Sequence, residues 1–157
     1  MSLGAVACQV ADRRLRDHDR IMPKTIGYRL LRLGRVPQRW RGRLESEGIR
    51  VLDEGIRCAV TWRNYRAAGR YYGWRRSWGS GAVVLTQVRL FVSYYAWPML
   101  NVALDEDRIA KIDVASPTPD ALVLSFDAAD LFDDRRGAIT IRLRTEKEAN
   151  LAAHLRG

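Results

Sequence analysis

An alternation of apolar and polar residues with period two begins at Ile56 and restricts the fold of this chain more than any other feature. From Ile56 to Arg63 every second residue is apolar, and the residues between them are polar or small. Successive side chains of a β-strand point to opposite faces, so this pattern predicts a strand buried on one face. The same pattern is clearest at residues 121–126 and 138–144.

Further strand signals follow at regular spacing, at residues 70–78, 82–86, 89–95, 99–104 and 109–115. Turn-forming residues separate the strands at 67–69, 79–81, Pro98, 105–107, 117–120 and 133–137. Many short strands without helical patterns between them are typical of a sandwich or barrel rather than of alternating α/β units. The sequence therefore predicts a mainly β domain of seven to eight antiparallel strands.

The chain ends in a predicted α-helix. Thr145 followed three residues later by Glu148 forms a capping box, which marks a helix start. Leu151 and Leu155 then share one helix face, and we expect both to be buried against the strands. The helix would cover the open edge or mouth of the sheet, where unpaired backbone is otherwise exposed.

The N-terminal part, residues 1–48, is predicted to be a basic leader with a short helical extension, and residues 49–157 to be the domain. Pro37 suits a helix start and Gly48 a left-handed cap, which together predict a helix over about residues 38–47. Trp40 and Leu44 would share its apolar face. Residues 1–22 are expected to form a mobile leader, and Met22 is an alternative start of translation.

Composition limits the compartment and the chemistry. With 157 residues, the chain is long enough for one ordinary domain. It has no apolar run long enough to span a membrane and no secretory signal pattern. Its two cysteines, Cys8 and Cys58, provide neither a disulfide framework nor a zinc site. We therefore expect a cytoplasmic protein that can associate peripherally with a membrane.

The net charge of +9 is concentrated before residue 100 and predicts an anionic partner. Only three of the 27 cationic residues, Lys24, Lys111 and Lys147, are lysines. The arginine guanidinium suits bidentate phosphate contacts, but a GC-rich genome would produce the same arginine excess. Both explanations stay open on the sequence.

Two segments carry a resemblance to a known family. The stretch GAVVLTQVRLFVS, from Gly81, resembles a strand-turn-strand of bacterial pleckstrin-homology (PH) and GRAM-type domains, and NVALDEDRIAKIDV resembles the segment that follows it. The resemblance covers roughly residues 47–156 and implies a PH-like barrel or sandwich closed by a C-terminal helix. It also implies a binding or scaffolding module rather than an enzyme, with a partner that is an anionic lipid, a phosphorylated ligand or a protein.

In lipid-binding members of that superfamily, basic residues of the first two strands hold the head group. The matching stretch here is RNYRAAGRYYGWRR, in which arginines are interleaved with tryptophan and tyrosine. Aromatic rings suit a lipid headgroup layer, and they also stack on nucleic-acid bases, so nucleic-acid binding is the alternative. Another interpretation is that the rings are core residues and the arginines are solvated. The candidate anion-binding residues are Arg63, Arg66, Arg70, Arg75, Arg76 and Trp74.

A second basic segment lies between Tyr28 and Arg43, where six arginines alternate with leucines and Trp40. It fits either an amphipathic segment on an anionic membrane or a helix packed on the domain with a solvated charged face. Exposed strand edges and many aromatic residues also predict a homo-oligomer.

The sequence nominates no catalytic residue, metal site or cofactor. His18 and His154 are the only histidines, and they lie near opposite ends of the chain. Four aspartates cluster between two predicted strands without the spacing of a calcium loop, which favours a solvated acidic loop. They are Asp127, Asp130, Asp133 and Asp134.

Overall fold

The structure, a computed structural model, describes residues 24–156, so the predicted leader at residues 1–22 lies outside the described residues. In chain order the elements are α1 (Ile26–Leu31), α2 (Gln38–Ser46), β1 (Ile49–Ala67), β2 (Arg70–Thr86), β3 (Arg89–Tyr94), β4 (Trp97–Ala103), a 3-10 turn (Ile109–Lys111), β5 (Asp113–Thr118), β6 (Ala121–Asp127), α3 (Ala128–Leu131), β7 (Arg136–Arg144) and α4 (Glu148–Arg156).

The seven strands form one open antiparallel sheet in the order β4-β3-β2-β1-β7-β6-β5. A mainly β fold with a C-terminal helix is thus confirmed. β4 and β5 are the two edges, and within residues 24–156 no strand pairing joins them into a closed barrel. β1 is central, because it pairs with β2 along its length and with β7 from Arg57 to Arg66.

The main core covers the inner face of the sheet and follows the predicted alternation. Residues such as Val60, Val83, Leu124 and Ile141 are fully enclosed on this face. Burial of each such side chain contributes about 1.5 to 3 kcal/mol to the free energy of unfolding, so this cluster dominates the stability of the fold.

A second, smaller core lies on the outer face and involves the N-terminal extension. Leu44 of α2 and Val36 before it pack with Ala82, Val84 and Phe91, and the Trp40 ring lies 5.7 Å from that of Phe91. The predicted helix over residues 38–47 is therefore confirmed, with Trp40 and Leu44 on its packed face. Gly48 follows it with the positive φ that a left-handed cap needs.

The C-terminal helix α4 packs against β5 and β6 and so lies over one edge of the sheet. It begins at Glu148, later than Thr145, whose hydroxyl accepts the Lys147 N–H rather than that of Glu148. Leu151 is fully buried as expected, whereas Leu155 is only half-buried against the core.

The predicted break at residues 79–81 is wrong, because β2 runs unbroken from Arg70 to Thr86. The glycines of this segment do not form a turn but allow another part of the chain to lie close to the strand. A Cβ on Gly79 would lie 2.6 Å from the Tyr95 ring, and one on Gly81 would lie 2.5 Å from the Ser93 carbonyl oxygen. Small residues are needed where another chain segment touches the strand.

Other boundaries also differ from the prediction, and β1, for example, begins at Ile49 rather than at Ile56. The strand expected at 109–115 starts only at Asp113, since Ile109–Lys111 form a 3-10 turn. Pro98 lies inside β4 rather than in a turn. Its missing N–H is tolerated because β4 is an edge strand and Pro98 lies next to a register shift. β5 runs into the predicted turn at 117–120 as far as Thr118.

Candidate functional site

The β1–β2 hairpin carries all six predicted site residues. On its β2 side it extends beyond the neighbouring strand, because β3 pairs with β2 only from Gly81 to Leu85, whereas on its β1 side β7 pairs with β1 as far as Arg66. Over Arg70 to Ser80, the described part of the chain pairs β2 with β1 alone. The hairpin therefore presents two faces and one unpaired strand edge.

The structure divides the predicted site between these faces. Arg70 and Arg75 line a cleft on the inner side of the sheet. The remaining four do not line the cleft, and they are Arg63, Arg66, Arg76 and Trp74. Trp62 and Tyr65 both line the cleft although they are three residues apart, which strict alternation would not allow. The alternation is interrupted at Asn64, which has a positive φ of 48°. One continuous six-residue site, as the sequence stretch suggested, is therefore not present.

The cleft has a volume of about 770 Å³ and combines aromatic walls with arginines. The Arg75 guanidinium lies 4.8 Å from the centre of the Tyr72 ring and 6.0 Å from that of Trp62. Tyr65 and Tyr72 stack with ring centres 6.0 Å apart. These contacts fix Arg75 at the wall by cation–π attraction. The lining residues beyond the hairpin include Tyr94, Trp97, Met99, Phe132, Arg135 and Ile139.

The outer side of the hairpin is an exposed layer of rings and guanidinium groups. Arg76 lies 4.6 Å from the centre of the Trp78 ring, and Arg66 lies 5.2 Å from that of Tyr71. Trp74 is 64% and Trp78 68% exposed. Large rings at such exposure on a folded domain are typical of contact surfaces.

Arginines of the described chain differ in whether they pair with a carboxylate. Arg41 binds Glu54, Arg89 binds Glu47 and Arg144 binds Asp120. Within residues 24–156, no salt bridge joins a carboxylate to any of the five predicted site arginines. A guanidinium stacked on a ring still has its edge N–H groups free for an anionic group.

Sequence reasoning missed the far wall of the cleft, which β4 and the segment before β7 supply. Trp97, 72% exposed, and Phe132 belong to this wall, and Arg135 lies 4.6 Å from the centre of the Phe132 ring. No spacing rule links these residues to the hairpin, because only the folded sheet brings them together. Exposed aromatic residues beside turns were the one available signal.

The acidic cluster has structural contacts. Asp127 accepts the Ala129 N–H at the start of α3, Asp130 pairs with Lys111, and Asp134 with Arg135. Part of the predicted acidic loop is thus the short helix α3. Among residues 24–156, no three histidine, cysteine, aspartate or glutamate side chains converge as metal ligands would.

The described cysteine and histidine also have structural environments. Burial raises the pKa of the Cys58 thiol to about 12, which keeps it protonated and unreactive at neutral pH. The His154 Nδ1 lies 2.8 Å from the Asn150 carbonyl oxygen of the same helix. Cys8 and His18 lie outside the described residues.

Comparison with known proteins adds no family. No protein-family description matches this chain, and no curated protein is significantly similar to it in sequence. Between residues 24 and 156, no helix combines the length and apolar character needed to cross a membrane.

Proposed function

We propose that this chain is a non-enzymatic binding module of PH-like fold. The order of elements supports the proposal: seven antiparallel strands connected as a meander on each side of β1, followed by one C-terminal helix. α4 lies against the edge strand β5, where a closing helix of such a domain is expected. Closure of the sheet into a barrel or sandwich is part of this proposal.

The ligand that fits the hairpin best is an anionic, phosphate-bearing group, at a membrane surface or on another molecule. The observation that carries this proposal is that five arginines without a carboxylate partner in the described chain lie together on one hairpin, although other described arginines such as Arg57 and Arg142 also have no such partner. Arg66, Arg75 and Arg76 each stack on a ring instead. Stacking holds the guanidinium in place and lowers the entropy lost when its N–H groups bind an oxyanion.

Nucleic acid is the second candidate, favoured by the exposed rings beside the arginines. Trp74 and Trp78 are exposed enough for unpaired bases to stack on them, while Arg76 would contact phosphate. Both candidates predict affinity that falls steeply with added salt. Salt dependence therefore cannot separate them.

Flotation with acidic and neutral vesicles, run beside gel-shift assays with single- and double-stranded oligonucleotides, tests the proposal. We expect binding to acidic vesicles and weaker binding in Arg75→Glu and Arg76→Glu. Each reversal should cost about 1 kcal/mol or more near an anionic surface. Arg50→Glu is the matched control, because Arg50 is exposed at the other end of β1 from the site arginines. Binding to neither acidic vesicles nor oligonucleotides at low salt would overturn the anionic-ligand function.

A further inference from the structure

The N-terminal helices cover only part of the outer face of the sheet. Ala82 and Val84 of β2 are buried beneath α2 and its neighbouring segment. The N-terminal segment covers this face of β2 as far as Ser80, whose hydroxyl donates to the Leu33 carbonyl oxygen at 2.9 Å. Beyond Ser80 the same face continues uncovered along the hairpin.

Three side chains occupy that uncovered face of β2. Trp78, Arg76 and Trp74 follow Ser80 at every second position, so they project from the same side as Ala82. All three are exposed. This side of the molecule therefore presents two indole rings and a guanidinium with no covering element in the described chain.

Helix α1 adds aliphatic side chains to this side. Ile26, Leu30 and Leu31 are 75%, 77% and 72% exposed. The helix is attached to the outer face, because the Thr25 hydroxyl donates to Ser80 Oγ at 2.8 Å. A shallow pocket of about 350 Å³ joins α1 to the hairpin and is lined from both sides, by Gly27 and Leu33 and by Trp78.

The charge around these apolar side chains is positive. Arg29 and Arg32 flank the leucines of α1 in sequence. The outer-face residues of β1 from Arg57 to Arg63 include no aspartate or glutamate, and neither do the residues paired with them on β2 and β7. The arginines in this row and its neighbours are Arg57, Arg63, Arg76, Arg142 and Arg144, of which Arg144 pairs with Asp120.

Aliphatic side chains decide between the two ligand classes. Leucine and isoleucine have no ring to stack on a base, whereas a bilayer interface accommodates aliphatic residues, tryptophan and arginine together. Resting on the function proposed above, we propose that this outer side lies on an anionic lipid bilayer. Leu30, Leu31 and Trp78 enter the interfacial layer, and Arg76 with its neighbours contacts lipid phosphates.

The test uses the full chain and vesicles of phosphatidylcholine with and without phosphatidylglycerol. We expect the double variant Leu30→Ser with Trp78→Ala to bind anionic vesicles roughly tenfold more weakly or worse. Its matched control is Val88→Ser with Trp97→Ala, since both residues are exposed but Val88 lies in the β2–β3 turn and Trp97 in the cleft wall. That control should bind as the natural chain does.

All four substituted residues are exposed, so the variants should fold, and circular dichroism checks this. Vesicle binding lost in the Trp97 control but kept in the Trp78 variant would overturn the bilayer orientation and leave the anionic-ligand function standing through the cleft. Binding to oligonucleotides alone would likewise overturn the bilayer surface. Binding to neither would remove both proposals.

Discussion

The Thr145 hydroxyl donates a 2.6 Å hydrogen bond to Asp53 Oδ2 and so ties the segment before α4 to the first strand. Both residues are buried, and Lys24 binds the other oxygen of the same carboxylate. The Lys147 ammonium group also donates to the Leu52 carbonyl oxygen. Three segments that are distant in sequence therefore meet at one carboxylate.

Replacing Thr145 with Val keeps the side-chain shape and leaves Asp53 without this donor. Because the carboxylate is buried, we expect a loss of about 1.5 to 3 kcal/mol in the free energy of unfolding, measured by urea denaturation. Thr118→Val is the control, since Thr118 makes the same kind of bond to Asp120 at an exposed position. Equal losses in the two variants would contradict a special role for the buried bond.

Leu151 and Leu155 test how α4 is held. Leu151 is fully buried, so Leu151→Ala should cost about 2 to 5 kcal/mol, whereas half-buried Leu155 should cost less on the same substitution. Thermal or urea unfolding of both variants measures the difference. A larger effect at Leu155 would mean that the helix packs differently from the structure.

Glu47 predicts an acid dependence of stability. Burial raises the pKa of this carboxyl, but hydrogen bonds of 3.0 and 2.9 Å from Arg89, its charge and the bond from Thr86 together hold it below the ordinary value of 4.5. A lowered folded-state pKa stabilises the protein above that ordinary value, and the stabilisation is lost as pH falls through the folded-state pKa. Arg89→Met should therefore lose less stability on acidification than the natural chain.

Urea denaturation at neutral and at acid pH measures this difference. Arg50→Met is the control, because Arg50 is also an arginine of the sheet but is exposed and does not contribute to the pKa shift of Glu47. The same pH dependence in Arg89→Met and in the natural chain would show that this ion pair does not contribute.

The unpaired edge of β2 gives a prediction about self-association. Two copies could pair along Arg70 to Ser77, since beyond Ser77 the Trp78 and Ser80 carbonyl oxygens already accept hydrogen bonds from Tyr94 and Tyr95. Such pairing would bring Arg70, Arg75 and Arg76 close to their like charges. Added salt screens that repulsion, so we expect dimerisation to strengthen with salt in sedimentation velocity, opposite to the binding of anionic ligands. Monomer alone at high concentration and high salt would contradict it.

Periodicity identified the strands that lie on the main core, because a buried face imposes period two on the sequence. It could not identify the role of Gly79 and Gly81. Glycine is needed there because Tyr95 and Ser93, from a separate part of the chain, lie too close to the strand for a Cβ atom. Strand alternation alone separates Arg75 from Arg76, but the positions of the arginines nearer the hairpin tip follow the interruption at Asn64, whose positive φ no alternation rule reveals. Local signals thus specified the elements, and long-range contacts decided how the site is arranged.

The central position of β1 has a consequence for the nascent chain. β2 follows β1 immediately during translation, whereas β7 leaves the ribosome only after β2, β3, β4, β5 and β6 have been made. Until then, the β1 edge from Arg57 to Arg66 has no partner and could pair with another unfinished chain. Arg57 and Arg63 on that edge would repel the like charges of a second copy, which disfavours such pairing until β7 has been made.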